Sequence, residues 1–191
     1  MKKLTFLLLI LFSFSSIAQS KKKEKEARIS RDEMPLKALL LLGKFDDKEF
    51  KQKTYFFEID GNTKSYEAKF IYKKHAYSVE FSEKGKLQDV EKVIKKKEIP
   101  TSTRDAIEVY LENNFDAFKL EKIQEQFPNK GKAEETFQES LQQNQNPDNY
   151  EIIVQAKKEQ RYFVYELLFD AFGKFKKKRK VDKNSYDYLI F

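Results

Sequence analysis

Regular alternation of apolar and polar residues marks β-strands along much of this sequence. The clearest alternation lies in SYEAKFIYK, residues 65–73. Its apolar residues share one face of a strand: Tyr66, Ala68, Phe70 and Tyr72. Similar alternation predicts three more strands over residues 54–59, 77–81 and 87–93. Asp60-Gly61 and Gly85 supply turn signals between them, because glycine adopts left-handed backbone conformations at little cost.

The second half of the sequence repeats this pattern in the same order. NYEIIVQAK (149–157) matches SYEAKFIYK, and Gly173 matches Gly85. Glu98-Ile99-Pro100 matches Glu33-Met34-Pro35, and helical spacing of apolar residues follows each of these tripeptides. A helix is the natural cover for the apolar face of a sheet. The sequence therefore predicts an α+β protein of two tandem repeats, each with one helix packed on an antiparallel sheet of about four strands.

The repeat also sets the predicted domain boundaries. They are a signal peptide at 1–18, a charged flexible leader at 19–31, a first repeat at 32–97 and a second repeat at 98–191. Residues 118–127 fit either a helix or a strand by spacing, and the repeat favours a strand. A polar insertion at 128–148 holds at most a short helix along Ala133, Phe137 and Leu141. The segment SYDYLIF, residues 185–191, is predicted to be one more strand.

The first 18 residues have the three parts of a secretory signal peptide. Lys2 and Lys3 form a basic start, and the apolar stretch LTFLLLILF follows. Ser16-Ile17-Ala18 then provides small residues for cleavage after Ala18. A membrane anchor is the alternative, but the apolar stretch is too short to span ~30 Å of hydrocarbon. The sequence predicts an exported protein, either periplasmic or extracellular.

Composition argues against several kinds of site. The chain of 191 residues has 18 Phe and 10 Tyr, which is ample for a packed core, and a formal net charge of +7. It has no Cys and one His, so disulfides are absent and a zinc or iron–sulfur site is not expected. His75 falls in a predicted turn, away from any nucleophile motif. We therefore predict no catalytic set, no metal and no cofactor.

Two segments of the chain are similar to the PepSY-like family, which is also described as resembling the β-lactamase-inhibitor fold. They are YSVEFSEKGKLQDVEKVIKKKEIP (77–100) and NYEIIV with YELLFDAFGKF (149–154 and 165–175). The resemblance covers about Asp32–Val181. It implies tandem helix-plus-sheet repeats in exported bacterial proteins, and a binding or inhibitory role without a catalytic set. The polar insertion at 128–148 departs from a compact repeat.

One strand face that is expected to be exposed to solvent is partly apolar. In RYFVYELLFD (161–170), Tyr162, Val164 and Leu168 fall opposite the predicted core face, and Ile153 lies on the neighbouring strand. Packing between the two repeats is one explanation. The other is a partner-binding patch formed by Tyr162, Val164, Leu168 and Ile153, because large exposed apolar patches mark interaction sites.

The strongest run of positive charge is GKFKKKRKV, residues 173–181. On a strand, Lys174, Lys176, Lys178 and Lys180 fall on one face. They are expected either to protect a solvated edge strand from association or to attract an anionic envelope surface. Export argues against nucleic acid as the target.

Together these features predict a non-enzymatic binding module. We expect it to recognise another exported or envelope protein through an open sheet face, with inhibition of an envelope hydrolase as one version of that role. The alternative is a peripheral envelope protein that its lysines hold to anionic glycan or lipid.

Overall fold

The computed structural model describes residues 21–45, 48–142 and 145–182. The signal peptide expected over 1–18, with its cleavage after Ala18, lies outside these residues, as does the strand expected over 185–191. No helix within the described residues is both long and apolar enough to cross a lipid bilayer.

The described residues contain ten strands and three α-helices, and each half of the chain places a helix before four strands. The first elements in chain order are β1 (Lys21–Lys22), β2 (Glu24–Ile29), α1 (Leu36–Leu42), β3 (Lys51–Asp60), β4 (Thr63–Tyr72), β5 (His75–Ser82) and β6 (Leu87–Val93). The rest are α2 (Thr101–Asn114), β7 (Ala117–Pro128), α3 (Ala133–Leu141), β8 (Asn149–Lys158), β9 (Arg161–Asp170) and β10 (Phe175–Val181). Pro35 and Pro100 precede α1 and α2, where the fixed φ of proline suits the start of a helix.

All ten strands belong to one sheet, in the order β1-β10-β9-β8-β7-β6-β5-β4-β3-β2. The two halves are joined because β6 pairs with β7, for example Val90 with Phe127. The predicted fold class, two separate helix-on-sheet repeats, is therefore wrong: the strands form a single, nearly closed, barrel-like sheet. Strand alternation identifies the two faces of a strand, but it carries no information about which edge strands pair.

The segment expected to be a flexible leader instead closes the sheet. Lys21 and Lys22 pair in parallel with β10, while Glu24–Ile29 pairs antiparallel with β3. These two short strands are separated only by Lys23, yet they lie at opposite edges of the sheet order. Residues 21–29, which we call the strap, therefore pair with residues 55–60 of β3 at one edge and with Lys180 and Val181 of β10 at the other. They satisfy part of the backbone groups that an open sheet would leave unpaired.

The apolar cores lie on the outer face of the sheet, beneath the helices. The first contains Ala38 and Leu41 of α1 packed on Phe70, Val79 and other residues of the first half. The second contains Ile107 and Leu111 of α2 packed on the second half. Since the helices cover the apolar rows from outside, the polar rows of the strands face inward.

The polar insertion contributes to the first core. Its helix α3 matches the short helix predicted along Ala133, Phe137 and Leu141. Phe137 is fully buried and packs edge-on against Phe45, with ring centroids 4.3 Å apart. The prediction of a strand over 118–127 is also confirmed, because these residues lie in β7. A bulge between Leu120 and Lys122 interrupts the alternation of β7, which explains its helix-like spacing.

Gly85 and Gly173 occupy equivalent places, each in a tight turn against the first turn of a helix. Gly85 has φ +69, and a Cβ there would lie 2.8 Å from the Pro35 Cβ. Gly173 has φ +81, and a Cβ there would lie 2.6 Å from the backbone oxygen of Thr103. The Thr103 hydroxyl also donates a hydrogen bond to the Ala171 carbonyl, at 3.1 Å. Both turns therefore require glycine for conformation and for space.

Replacing Gly173 with Ala should destabilise the fold more than replacing Gly61. Gly61 has φ +64, but a Cβ there would meet no atom within 4 Å, so Gly61→Ala costs only the left-handed backbone, about 1–2 kcal/mol. Gly173→Ala adds an overlap with the α2 backbone, a further ~1–3 kcal/mol. Urea unfolding of the two variants measures this difference. Equal losses in the free energy of unfolding would show that the close approach of α2 contributes nothing.

Candidate functional site: a polar lumen and an apolar cleft

The inward face of the closed sheet surrounds a polar cavity of about 350 Å³, which we call the lumen. Side chains from the strap and from strands β3 to β10 line it. Its acidic lining residues are Glu24, Glu26, Glu58, Asp60, Glu67, Glu80, Asp89, Glu91, Glu151 and Glu166, and its basic ones are Lys22, Lys69, Lys122, Lys177 and Arg179.

Charge is distributed unevenly between the lumen and the rest of the molecule. The lining residues comprise ten acidic and five basic side chains, a formal excess of five negative charges. The whole chain carries +7. The residues that do not line the lumen therefore carry a formal excess of positive charge, whereas the lining residues carry a formal excess of negative charge.

Ion pairs across the lumen fasten the strap and the seam of the sheet. The Lys22 ammonium lies 2.9 Å from Glu24 and 2.5 Å from Glu166 of β9. The Arg179 guanidinium on β10 contacts Asp60 on β3, so it links the two strands that flank the strap. The backbone N–H of Lys23 also donates to Asp60, at 2.9 Å. These side-chain contacts connect the two edges of the sheet at β1, which pairs with β10 through only two residues.

A second group of charges lies on β2, β3 and β4. The Lys69 ammonium is 2.7 Å from Glu26 and 3.1 Å from Glu67, and it lies 4.7 Å from the centre of the Phe56 ring. Carboxyl oxygens of Glu24, Glu26 and Glu58 come within 4.8 Å of one another, a spacing that suits a metal ion. Lys22 and Lys69 already compensate two of these three carboxyls, those of Glu24 and Glu26.

Burial and crowding shift the pKa values of several groups in the lumen. Burial, together with the nearby Glu67, raises the pKa of Glu58 to about 11. Burial raises the pKa of Glu91 to about 7, against the opposing effect of Lys122. Burial alone would lower the pKa of Lys22, but Glu166, Glu151 and Glu24 outweigh it and raise that pKa. The excess of carboxyls is thus compensated partly by lysines and partly by bound protons.

A larger and mostly apolar cavity, of about 950 Å³, opens where the sheet splits between its two halves. We call it the cleft. Beyond Val93 the chain leaves the sheet, while β7 continues beside β8 to Ala117. Its apolar lining residues are Phe70, Ile71, Ala76, Tyr77, Val93, Ile94, Phe118, Leu120 and Ile123. Its charged lining residues are Lys69, Lys95, Lys96, Lys122 and Glu121. Lys69, Lys122 and Gln124 line both the cleft and the lumen, so the two cavities adjoin.

The four residues of the predicted partner-binding patch share the inner face of the sheet but differ in exposure. Ile153 is only 1% exposed and packs with Val164 and Val181, inside the sheet. Leu168 is half-buried and lines the lumen. Tyr162 is 64% exposed, at the end of the sheet where the cleft opens. The face predicted to be open is thus the inner face of a nearly closed sheet, with Tyr162 as its accessible residue.

The predicted lysine row is also divided. A bulge between Phe175 and Lys177 breaks the alternation of β10, and β1 pairs with the last two residues of this strand, Lys180 and Val181. Lys174 and Lys176 are exposed, and Lys176 lies 2.7 Å from the Asn149 side-chain oxygen. Lys178 lies 5.3 Å from the centre of the Tyr165 ring, and Lys180 lies 3.7 Å from that of Phe163. These cation–π contacts hold two of the four lysines against the outer face of the sheet.

His75 belongs to neither cavity. It is the first residue of β5, and its Nε2 lies 2.8 Å from a carboxyl oxygen of Glu98. This contact ties the β4–β5 hairpin to the turn before α2.

Comparison with known proteins identifies the fold but not the family. No protein-family model matches the chain, and no curated protein matches its sequence. A protein described as periplasmic from Bacteroides eggerthii DSM 20697 aligns over 82% of this chain and 94% of that chain, at 13% identity and a TM-score of 0.53. A DUF2874 family protein from Bacteroides ovatus ATCC 8483 aligns over 77% and 87%, at 11% identity and a TM-score of 0.52.

These two likenesses show a shared fold. A third solved structure, described as a BLIP-like protein from Bacteroides fragilis NCTC 9343, aligns over 77% of this chain and 86% of that chain at 12% identity. Its TM-score of 0.49 is too low to bear on this chain. The PepSY-like name is not confirmed by any of these matches, and that resemblance stays a prediction.

Sequence reasoning missed both cavities. The lumen did have a signal in the sequence, namely charged residues that alternate with core residues along the strands. Examples are Glu67 and Lys69 on β4, Asp89 and Glu91 on β6, and Glu166 on β9. Such rows look like ordinary solvated faces until the sheet closes. The cleft leaves no sequence signal, because it depends on where β6 ends relative to β7.

The stability of the protein should fall as the pH rises from 5 to 8. A carboxyl whose pKa is higher in the folded chain than in the unfolded chain stabilises the fold when it is protonated. For Glu91 this stabilisation is complete below about 4.5 and is lost as the pH rises through about 7. The Glu91→Gln variant should therefore lose less stability over this range than the wild type.

Urea unfolding at several pH values measures this slope. Glu112→Gln is the matched control, because Glu112 is exposed on α2 and should leave the slope unchanged. If the free energy of unfolding of Glu91→Gln depends on pH as steeply as that of the wild type, Glu91 does not hold a proton in the folded protein.

Proposed function

We propose that this protein is an exported, non-enzymatic binding protein that recognises another exported or envelope protein, and that the cleft is its binding site. The observation that carries the proposal is the cleft itself. A cavity of about 950 Å³ lies at the upper end of the usual range for ligand sites, ~300–1,000 Å³, and its lining is mostly apolar with a few polar groups.

Export is supported by the signal-peptide pattern and by the description of the Bacteroides eggerthii protein as periplasmic. A non-enzymatic role is supported by the chemistry of the two cavities. No histidine lines either of them. In the lumen, Glu26 and Glu166 are paired with lysines, and Asp89 and Glu91 accept hydrogen bonds from glutamine side chains. The resemblance to the PepSY-like family implies a binding or inhibitory role, which includes inhibition of an envelope hydrolase.

Filling the cleft should abolish recognition without disturbing the core. Ala76 is exposed and lines the cleft, so Ala76→Trp places a large side chain in it. Ala27→Trp is the matched control, on an exposed position of β2 outside the cleft. We expect capture of envelope proteins by purified Gln19–Phe191 to fall by about tenfold or more with Ala76→Trp only, as loss of a central contact predicts.

A third variant tests the patch predicted from the sequence. Tyr162→Asp alters the exposed residue of that patch but does not line the cleft. If Tyr162→Asp abolishes capture while Ala76→Trp leaves it unchanged, the patch is the binding site and the cleft is not. If all variants recover the same proteins as the wild type, both sites are excluded.

The segregation of charge favours a second candidate, a peripheral envelope protein held to an anionic glycan or lipid surface. Lys174 and Lys176 are exposed and belong to a surface made more basic by the enclosure of acidic residues. Each basic residue near an anionic surface contributes ~1 kcal/mol at low salt.

Binding to vesicles that contain phosphatidylglycerol tests this candidate. Binding should weaken sharply by a few hundred millimolar NaCl and should fall with Lys174→Ala/Lys176→Ala. Lys84→Ala/Lys86→Ala is the matched control, at the equivalent turn of the first half. Salt-resistant binding, or equal loss with both double variants, would contradict a role for these two lysines.

A further inference from the structure

One edge of β7 is free along half its length. On one side, β7 pairs with β8 from Ala117 to Gln126. On the other side, β6 pairs with β7 only from Gln124 to Pro128, and the last bond runs from the Ile94 N–H to the Ile123 carbonyl, at 3.0 Å. Within the described residues, no strand pairs with Ala117–Lys122 on the side of the cleft. An unpaired edge of this kind is a template for another extended chain.

The walls of the cleft suit the side chains of such a chain. Phe118 and Leu120 line the cleft from the free edge, and Ile71, Ala76 and Val93 line it from the first half. An extended peptide directs alternate side chains to opposite faces. A strand beside β7 would therefore place alternate side chains against these apolar groups.

The charges at the cleft favour an acidic chain. Four lysines line it, against the single carboxyl of Glu121. Glu121 is already paired with Lys119, at 3.1 Å. Lys69 and Lys96 are paired with Glu26 and Glu108. Among the described residues, no carboxylate lies within ion-pair distance of Lys95 or Lys122, so these two ammonium groups have no direct ion-pair partner.

We propose that the cleft binds an acidic, extended segment of the partner protein, which adds to the free edge of β7 as a further strand. This inference rests on the proposed function and names the chemistry of its partner. An acyl chain would also fit the apolar walls, but it offers no partner to those backbone N–H and C=O groups of Ala117–Lys122 that point away from β8. A peptide backbone satisfies them.

Synthetic peptides that alternate glutamate and valine provide the probe, with binding measured by fluorescence anisotropy. The alternating Glu-Val peptide should bind, and the Lys-Val peptide should bind at least about fivefold more weakly. A Glu-Val peptide methylated on alternate backbone nitrogens should lose more than about tenfold in affinity, because it lacks the N–H donors needed for strand pairing. Equal binding of the methylated or the lysine peptide overturns the proposal.

Variants of the full mature chain locate the site. Lys95→Glu should weaken the Glu-Val peptide by about fivefold, whereas Lys97→Glu, an exposed lysine that does not line the cleft, should have little effect. Ala76→Trp should abolish binding. Oleate serves as a competitor: if oleate binds and the peptide does not, the cleft holds an amphiphile and the proposal fails.

The outcomes also separate this inference from the proposed function. If Ala76→Trp still prevents capture of envelope proteins but the Glu-Val peptide does not bind, the strand-addition proposal fails and the cleft remains a protein-binding site. If neither capture nor peptide binding depends on Ala76, both proposals fail.

Discussion

An open β-sheet has two edges with unpaired backbone N–H and C=O groups. In this sheet, one short segment pairs with both edge strands. The strap pairs with β10 through Lys21 and Lys22 and with β3 through Glu24–Ile29. Closure of the sheet turns its polar face inward and creates the lumen. The same closure keeps the apolar rows on the outside, where the helices cover them. The lumen depends on this closure, whereas the cleft depends on where β6 ends relative to β7.

Closure of the sheet has an electrostatic cost, and the ion pairs in the lumen offset part of it. Carboxyls that would be solvated on an open sheet are brought together and partly removed from water, and each such charge is costly unless it is compensated. Lys22 and Lys69 each lie between two carboxyls, and Arg179 bridges Asp60 and Glu166. The carboxyls that remain keep their protons to higher pH, as Glu58 and Glu91 do. Burial of the apolar clusters beneath the helices stabilises the fold and offsets this electrostatic cost.

Local structure could be read from the sequence, whereas the assembly of the sheet could not. Alternation in 65–73 and the glycines at 85 and 173 identified strands and turns that the structure contains. The strap was missed because its Lys-Glu alternation has no apolar row, and only pairing with both edges gives it a structure. The pairing of β6 with β7 was missed for a related reason: alternation fixes the face of each residue and not the neighbour of each strand.

The candidate sites show the same limit. The partner-binding patch predicted from the sequence lies on the inner face of the sheet, where Tyr162 is exposed and Ile153 is buried. Lys178 and Lys180 were expected to be solvated, but they lie over aromatic rings because a bulge divides β10. The lumen arises from closure of the sheet, and the cleft arises because β6 ends before β7 does. Features of this kind depend on how the strands assemble, so no local pattern in a single sequence predicts them.

The two cavities are physically connected, and this connection constrains how the protein responds to its surroundings. Lys122 lines both, and its charge lowers the pKa of Glu91 in the lumen. An acidic group bound in the cleft beside Lys122 offsets part of that charge, so the proton on Glu91 is held more tightly when the cleft is occupied. Because linkage is reciprocal, protonation of Glu91 must strengthen the binding of an acidic ligand by the same factor. If the cleft binds an acidic segment as proposed, its affinity should therefore depend on pH in the range where Glu91 titrates.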